Sequence, residues 1–224
     1  MWGSTMLSTQ LSESRPVAMI LSLSGGFMDA YSYVCRNHVF ANAQTGNMLL
    51  FGVNLSEGNF FGSLQYLFPV IAFAFGVFTA GIIRYRFNNR KHFHWRQATL
   101  LAESVILFAV ALIPQHFNLL ANSLLSFACG AQVQSFRKVD GSGVATTMCI
   151  GNLRSGIHAL CDYAFTKNKW ALENSLLYFI IIGNFVIGAI VGNLCVGLLH
   201  EKAILVSVGL LLTDFSIMLV NREA

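Results

Sequence analysis

The first residue that asks for a chemical explanation is Asp29, which follows Gly25 and Gly26 about twelve residues into an apolar run. A carboxylate at that depth is costly in hydrocarbon, turns toward the protein interior, and serves ions, protons or substrates; its plainer role is a hydrogen bond to a neighbouring helix. Two short polar runs could work beside it. The first carries Asn42, Gln44, Thr45, Gly46 and Asn47, the second Thr146, Thr147, Gly151 and Asn152. Their hydroxyl and amide groups suit a small polar solute, and the same residue types also let helices pack closely and hydrogen-bond each other. Gln132 and Gln134 occupy the stretch of the second half that corresponds to Asp29, so the two sides of such a site would be chemically unlike. Glu103 and Asp214 are further carboxylates within apolar runs. Glu103 lies seven residues beyond Arg96, where a modest tilt would bring it to the interface, whereas Asp214 is expected deeper; each suits a proton relay or a structural hydrogen bond. The candidate ion or substrate pathway is therefore Asp29, Thr45, Asn47, Gln132, Thr147, Asn152 and Asp214.

Other constellations carry less. Arg154, His158 and Asp162 recur every four residues, which on a helix makes one polar stripe of the kind that faces water or headgroups. His92 and His94 sit in a basic loop without further ligands, so no metal is expected there. The five cysteines, Cys35, Cys129, Cys149, Cys161 and Cys195, are odd in number, lack C-x-x-C spacing, and read as reduced packing residues. No H-E-x-x-H occurs and no Ser/His or paired-Asp arrangement stands out, so no catalytic residue is assigned and no cofactor is expected.

The elements that must position these groups follow from composition. The chain of 224 residues is 55% hydrophobic and only 11% charged, against about 25% charged in ordinary globular chains. A soluble fold could not cover its surface with that, and apolar windows approach the roughly 20 residues that span a bilayer. The expected spans are Val17 to Cys35, Phe61 to Ile83, Ala98 to Ile113, Leu119 to Phe136, Ser175 to Leu199 and Ala203 to Val220. Residues 1–16 form a polar tail without the basic and apolar regions of a cleaved signal peptide. The net charge of +4 comes from basic residues in loops beside the spans, which suits anionic headgroups rather than nucleic acid.

The two halves, 17–114 and 115–224, form a weak internal repeat. Ser24-Gly25-Gly26 answers Ala128-Cys129-Gly130 at an offset of 104, and Thr45-Gly46-Asn47 answers Ile150-Gly151-Asn152 at 105. Ala72, Gly76 and Ala80 answer Asn184, Gly188 and Gly192 at 112, and Glu103 answers Asp214 at 111. If the two G-N segments cross the membrane, the Lys and Arg residues, leaving out Arg154, divide nine to four; if they dip in and return, all fourteen divide twelve to two, with only Arg36 and Lys202 on the minor side. The second arrangement obeys the positive-inside rule better, puts both termini in the cytoplasm, and makes the halves inverted, because three crossings is odd. Length agrees: Val39 to Val53 as a helix is about 22 Å, short of a roughly 30 Å core. The expected fold is an all-α membrane protein of six transmembrane helices in two inverted three-helix repeats, each holding one interrupted G-N segment.

Gly26-Phe27-Met28-Asp29-Ala30, Phe40 through Thr45-Gly46-Asn47, and Gly130-Ala131-Gln132 followed by a Thr-Thr and a second G-N resemble the YoaK-like family of bacterial integral membrane proteins from about Val17 to Val220. In that family the second motif tends to read T-T-x-M-T-G-N. Here Ile150 stands where the last Thr is expected, which removes one hydroxyl. The resemblance implies a six-helix, multi-pass protein of the bacterial inner membrane and assigns no activity.

Interrupted segments at a repeat interface recur in transporters, so the leading expectation is a transporter or channel-like protein for a small polar solute or ion, coupled to protons through Asp29. Its partners would be membrane lipids and that solute, with a homo-oligomer left open. A membrane-embedded enzyme acting on a lipid or isoprenoid, or an accessory scaffold, are the alternatives.

Overall fold

A computed structural model describes residues 11–87 and 95–220. They form eight α-helices: α1 (Arg15–Cys35), α2 (Gln44–Ser56), α3 (Phe60–Phe87), α4 (Trp95–Leu112), α5 (Asn118–Ser135), α6 (Cys149–Thr166), α7 (Lys169–Leu199) and α8 (Leu205–Val220). Two-residue strands β1 (Lys138–Val139) and β2 (Ser142–Gly143) make a small antiparallel hairpin between α5 and α6. One α-helix occupies most of each apolar run expected to be a span; α7 starts six residues early, and α8 starts two residues late because residues 200–204 form a 3₁₀ turn. The loop holding His92 and His94 lies outside the described residues. Three helical stretches, Phe60–Phe87, Trp95–Leu112 and Lys169–Leu219, are long and apolar enough to cross a membrane. Their outward faces carry large apolar side chains such as Phe61, Phe75, Phe78, Leu194 and Leu198, a surface that water disfavours and lipid accepts.

The helix directions follow from which residues meet. Met28 touches Cys129, Leu21 meets Gln132, and Arg36 meets Asn118 and Asn122, so α1 and α5 run antiparallel. Ser22 donates to the Ile181 carbonyl and Tyr31 to that of Glu201, so α1 and α7 run parallel.

Four glycines let these helices approach backbone to backbone. A Cβ on Gly26 would collide with the Phe185 carbonyl, and one on Gly188 with that of Leu23; a Cβ on Gly130 would collide with the Phe73 carbonyl, and one on Gly76 with that of Phe127. The first two contacts join α1 to α7 and the last two join α5 to α3. Matching positions differ by 104 (Gly26 and Gly130, Leu23 and Phe127) or 112 (Gly76 and Gly188, Phe73 and Phe185). Main chain thus meets main chain between α1 and α7 and between α5 and α3. At Gly183 and Gly197 an added Cβ would meet nothing within 4 Å, so these two take no part.

The main apolar core lies between α1, α4, α5 and α8, with Leu21, Phe27, Leu100, Leu107, Leu125 and Leu211 fully buried. Its two ends differ in charge. At one end Arg96 pairs with Glu13 at 2.8 Å and donates to the Ser135 carbonyl, while Arg15 pairs with Asp140 at 2.6 Å. Arg137 and Lys138 flank that hairpin, and Arg84 and Arg86 end α3, which runs parallel to α5. At the other end Arg36 is wholly buried. Its guanidinium donates to Tyr31 Oη (2.9 Å), Asn118 Oδ1 (3.0 Å) and the Val110 carbonyl (3.0 Å), with its carbon 5.6 Å from the Tyr31 ring centroid. A buried charge is tolerable only when hydrogen-bonded in this way, and the carbonyl ends of α1 and α4 add a favourable dipole field.

The backbone contacts at Gly26 and Gly130 leave no room for a methyl group. Gly26→Ala and Gly130→Ala should each lower stability by at least about 1–3 kcal/mol, read as a lower thermal midpoint in detergent, while Gly183→Ala should leave the midpoint unchanged or raise it.

Candidate functional site

The segments between α1 and α2 and between α5 and α6 fold back rather than lead onward. After α1 the chain turns at Asn37 and His38, both with positive φ (63° and 57°). It then retreats along α1 until Asn42 lies beside residues 25–29: the Asn42 amide donates to Asp29 Oδ1 at 2.7 Å, and its side-chain Nδ2 donates to the Gly25 carbonyl at 3.1 Å. The α2 helix starts from that level, because the backbone between Phe40 and Ala43 is not helical, although the sequence pattern allowed a helix from Val39. In the second half the chain runs from the hairpin to Thr147, whose side chain packs against Gly25, and α6 starts two residues later. Asn42 and Thr147, at matching positions 105 apart, therefore meet at the same glycine of α1.

Each fold-back is closed by the asparagine of its G-N pair. Asn47 Oδ1 accepts from the Phe40 amide at 3.0 Å, and its Nδ2 donates to the Phe40 carbonyl at 2.8 Å and to Gln44 Oε1 at 2.9 Å. Asn152 Oδ1 accepts from the Ala145 amide at 3.2 Å, and its Nδ2 donates to the Ala145 carbonyl at 2.6 Å. Both asparagines reach back seven residues, both are buried, and neither lines the cavity described next. An asparagine suits this task because one side chain offers an acceptor and a donor together, matching the C=O and N–H of one residue.

Between the fold-backs lies a cavity of about 680 Å³. The first segment contributes Asn42, Ala43, Gln44 and Thr45, the second contributes Thr147, Met148, Cys149 and Ile150, and the sets correspond at an offset of 105. Phe73 of α3 and Phe185 of α7, matched at 112, form aromatic walls, and Asp29 supplies the acidic group. The two sides are chemically unlike: amide, amide and hydroxyl from the first segment face thioether, thiol and alkyl from most of the second.

Asp29 is buried, and its carboxylate accepts a hydrogen bond from the Asn42 amide. Asn42 Oδ1, Thr146 Oγ1 and Thr147 Oγ1 are buried without a hydrogen-bond partner among the described residues. Of the candidate pathway residues, Asp29, Thr45 and Thr147 line this cavity. Gln132 is packed between α5 and α1, where its Nε2 lies 3.4 Å from the Leu21 carbonyl. Asp214 lies elsewhere, on α8 beside Glu103. Arg154, His158 and Asp162 share an exposed face of α6, with His158 and Asp162 3.7 Å apart.

The sequence pattern singled out neither Phe73 nor Phe185 as a cavity wall. The signal that finds them is the 112-residue offset already carried by Gly76 and Gly188, since each phenylalanine stands three residues before its glycine.

A family described as "Protein of unknown function (DUF1275)" matches residues 17–217 of the chain. A curated relative, the UPF0700 transmembrane protein YoaK of Bacillus subtilis (strain 168), is 27% identical over 184 residues, covering 77% of this chain and 79% of the relative. No solved structure matches the chain.

The clamps define a measurable local stability. Asn47→Ala would strip the Phe40 backbone of both its partners, at about 1–3 kcal/mol for each buried group left unpaired. Amide exchange at Phe40 should accelerate at least tenfold in Asn47→Ala with Ala145 unaffected, and the reverse pattern should appear in Asn152→Ala.

Proposed function

The chain belongs to the family described as "Protein of unknown function (DUF1275)", a membrane-protein family by its curated relative, and from that premise we propose that it is a multi-pass inner-membrane transporter or channel-like protein for a small polar solute or ion. In this reading α1, α3, α4, α5, α7 and α8 cross the bilayer as two inverted three-helix repeats, surrounded by lipid. The fold-backs before α2 and α6 enter from opposite faces and end near the midplane. The antiparallel course of α1 and α5 and the exchange of glycine contacts at offsets of 104 and 112 support the inversion. The charges support the orientation: Arg15, Arg84, Arg86, Arg96, Arg137 and Lys138 gather at the end read as cytoplasmic. Arg36, at the opposite end, is withdrawn from the surface by its three hydrogen bonds.

The observation that carries the proposal is the meeting of both fold-backs on one cavity with Asp29 in its wall. Non-helical backbone is tolerated at membrane depth where it is buried in protein or lines a cavity, and discontinuous helices flanking such a cavity recur in transporters. Asp29 would attract a cation or carry a proton, Thr45 and Thr147 would contact a polar solute, and Asn47 and Asn152 would hold the two segments in place. The competing reading is a packing role for Asp29, favoured by the 2.7 Å hydrogen bond it accepts from Asn42.

Two measurements test these claims. For topology, in a chain freed of its natural cysteines, a Cys at position 86 should react with a membrane-impermeant thiol reagent in inverted vesicles and resist it in intact cells. A Cys at position 57 should behave oppositely, and the reverse result refutes the orientation. For activity, proteoliposomes carrying the protein are screened for uptake of small polar solutes and monovalent cations. Asp29→Asn keeps an acceptor for the Asn42 amide and removes the charge, so uptake should fall at least tenfold while the thermal midpoint changes little. Unchanged uptake assigns Asp29 to packing.

A further inference from the structure

Away from the cavity, the core holds two carboxylates that no ion pair among the described residues neutralises. Glu103 stands midway along α4 and Asp214 midway along α8, exposed by 1% and 0% on two helices packed against each other, with Asp214 near enough for its charge to act on Glu103. All four carboxylate oxygens are buried, and none has a hydrogen-bond partner among the described residues. The two residues match in the repeat at an offset of 111. Matching residues meet face to face only beside the axis that exchanges the halves, so this pair marks that axis.

Two neighbouring carboxylates out of water cannot both be ionised, because desolvation and mutual repulsion each oppose the second charge. The other groups around them do not relieve this. From α5 the nearby titratable group is the Cys129 thiol, which also lies within reach of the Asp29 carboxylate on α1 and is no source of positive charge. Arg96, two turns earlier on α4, is engaged by Glu13 and the Ser135 carbonyl. Arg36 is bound at the far end of the core, with Glu201 and Lys202 in the adjoining turn before α8. A hard metal cation would want about six oxygen ligands. The neighbouring Ser104 hydroxyl is already given to the Leu100 carbonyl, and the pair's own four carboxylate oxygens fall short of that number. A proton needs only two of those oxygens.

We infer that Glu103 and Asp214 form one proton-binding site on the contact between α4 and α8. The site holds one proton with a single shared negative charge, or two protons and no charge, and its protons leave in two steps that belong to the pair rather than to either residue. It is separate from the Asp29 cavity and requires no assumption about what that cavity carries.

Infrared spectroscopy of the whole chain in lipid nanodiscs tests this without any transport measurement. The Glu103→Gln/Asp214→Asn double variant, subtracted from the unsubstituted protein, isolates the pair's carbonyl-stretch bands, and exchange into heavy water confirms that they arise from protonated carboxyls. The expected result is a protonated band at neutral pH that is lost in two steps as pH rises. In Glu103→Gln and in Asp214→Asn a single step should remain, lying below the second of those two, because each variant loses the charge that opposes the second ionisation. The inference is overturned if the isolated spectrum shows only ionised carboxylates at neutral pH, a measurement that needs no single variant to fold. It is equally overturned if removing one carboxyl leaves the other's titration where it was.

Discussion

Backbone that leaves a helix in the middle of an apolar bundle exposes N–H and C=O groups where no solvent can satisfy them, and each unsatisfied group costs several kcal/mol in hydrocarbon. This protein places two such stretches, 37–43 and 144–148, against the centre of α1, and much of its polar chemistry serves to satisfy them. Asp29 receives the amide of Asn42, Asn42 reaches the carbonyl of Gly25, and Asn47 and Asn152 each close a loop on the residue seven positions before. Side chains that resemble ligands for a solute are in several cases ligands for the chain itself. Of the candidate pathway residues, Asp29, Thr45 and Thr147 are the ones that line the cavity.

The fold-backs fit because the helices around them are unusually close. Gly26 and Gly188 between α1 and α7, and Gly76 and Gly130 between α5 and α3, bring main chain against main chain, so the first helix of each half is gripped by the other half. Without a strong hydrophobic force between helices in lipid, such close packing and interhelical hydrogen bonds supply the attraction. The exchange also explains why the cavity has two walls of one kind, Phe73 and Phe185, yet two unlike faces. The glycine contacts recur at offsets of 104 and 112, whereas the polar residues at offsets of 104 and 105 differ: Ile150 stands at the offset from Thr45, Cys149 at that from Gln44, and the apolar Val133 at that from Asp29.

Charge is handled in three ways along the bundle. At the basic end, arginines pair with Glu13 and Asp140 and remain near solvent, where such pairs contribute little to stability. At the other end Arg36 is drawn inside and spends its donors on an aromatic hydroxyl, an amide and a carbonyl. Between them the carboxylates of Glu103 and Asp214 are buried without a hydrogen-bond partner among the described residues.

Much was legible in the sequence by itself. Low charge and long apolar runs established a membrane protein, because no soluble surface can be built from 11% charged residues. The G-F-M-D and T-G-N motifs placed it in its family. The recurrence of Gly, small and G-N landmarks located the glycines that later prove to touch main chain, since a position without a Cβ is written directly into the residue type. Contact partners were not legible. Which helix Gly26 faces, whether Asn47 looks into a cavity or back to Phe40, and that Glu103 and Asp214 meet while Gln132 packs apart all depend on how the halves interlock. That arrangement is set by the summed fit of helix surfaces far apart in the chain, and a side chain's spacing along its own helix carries no record of what stands opposite.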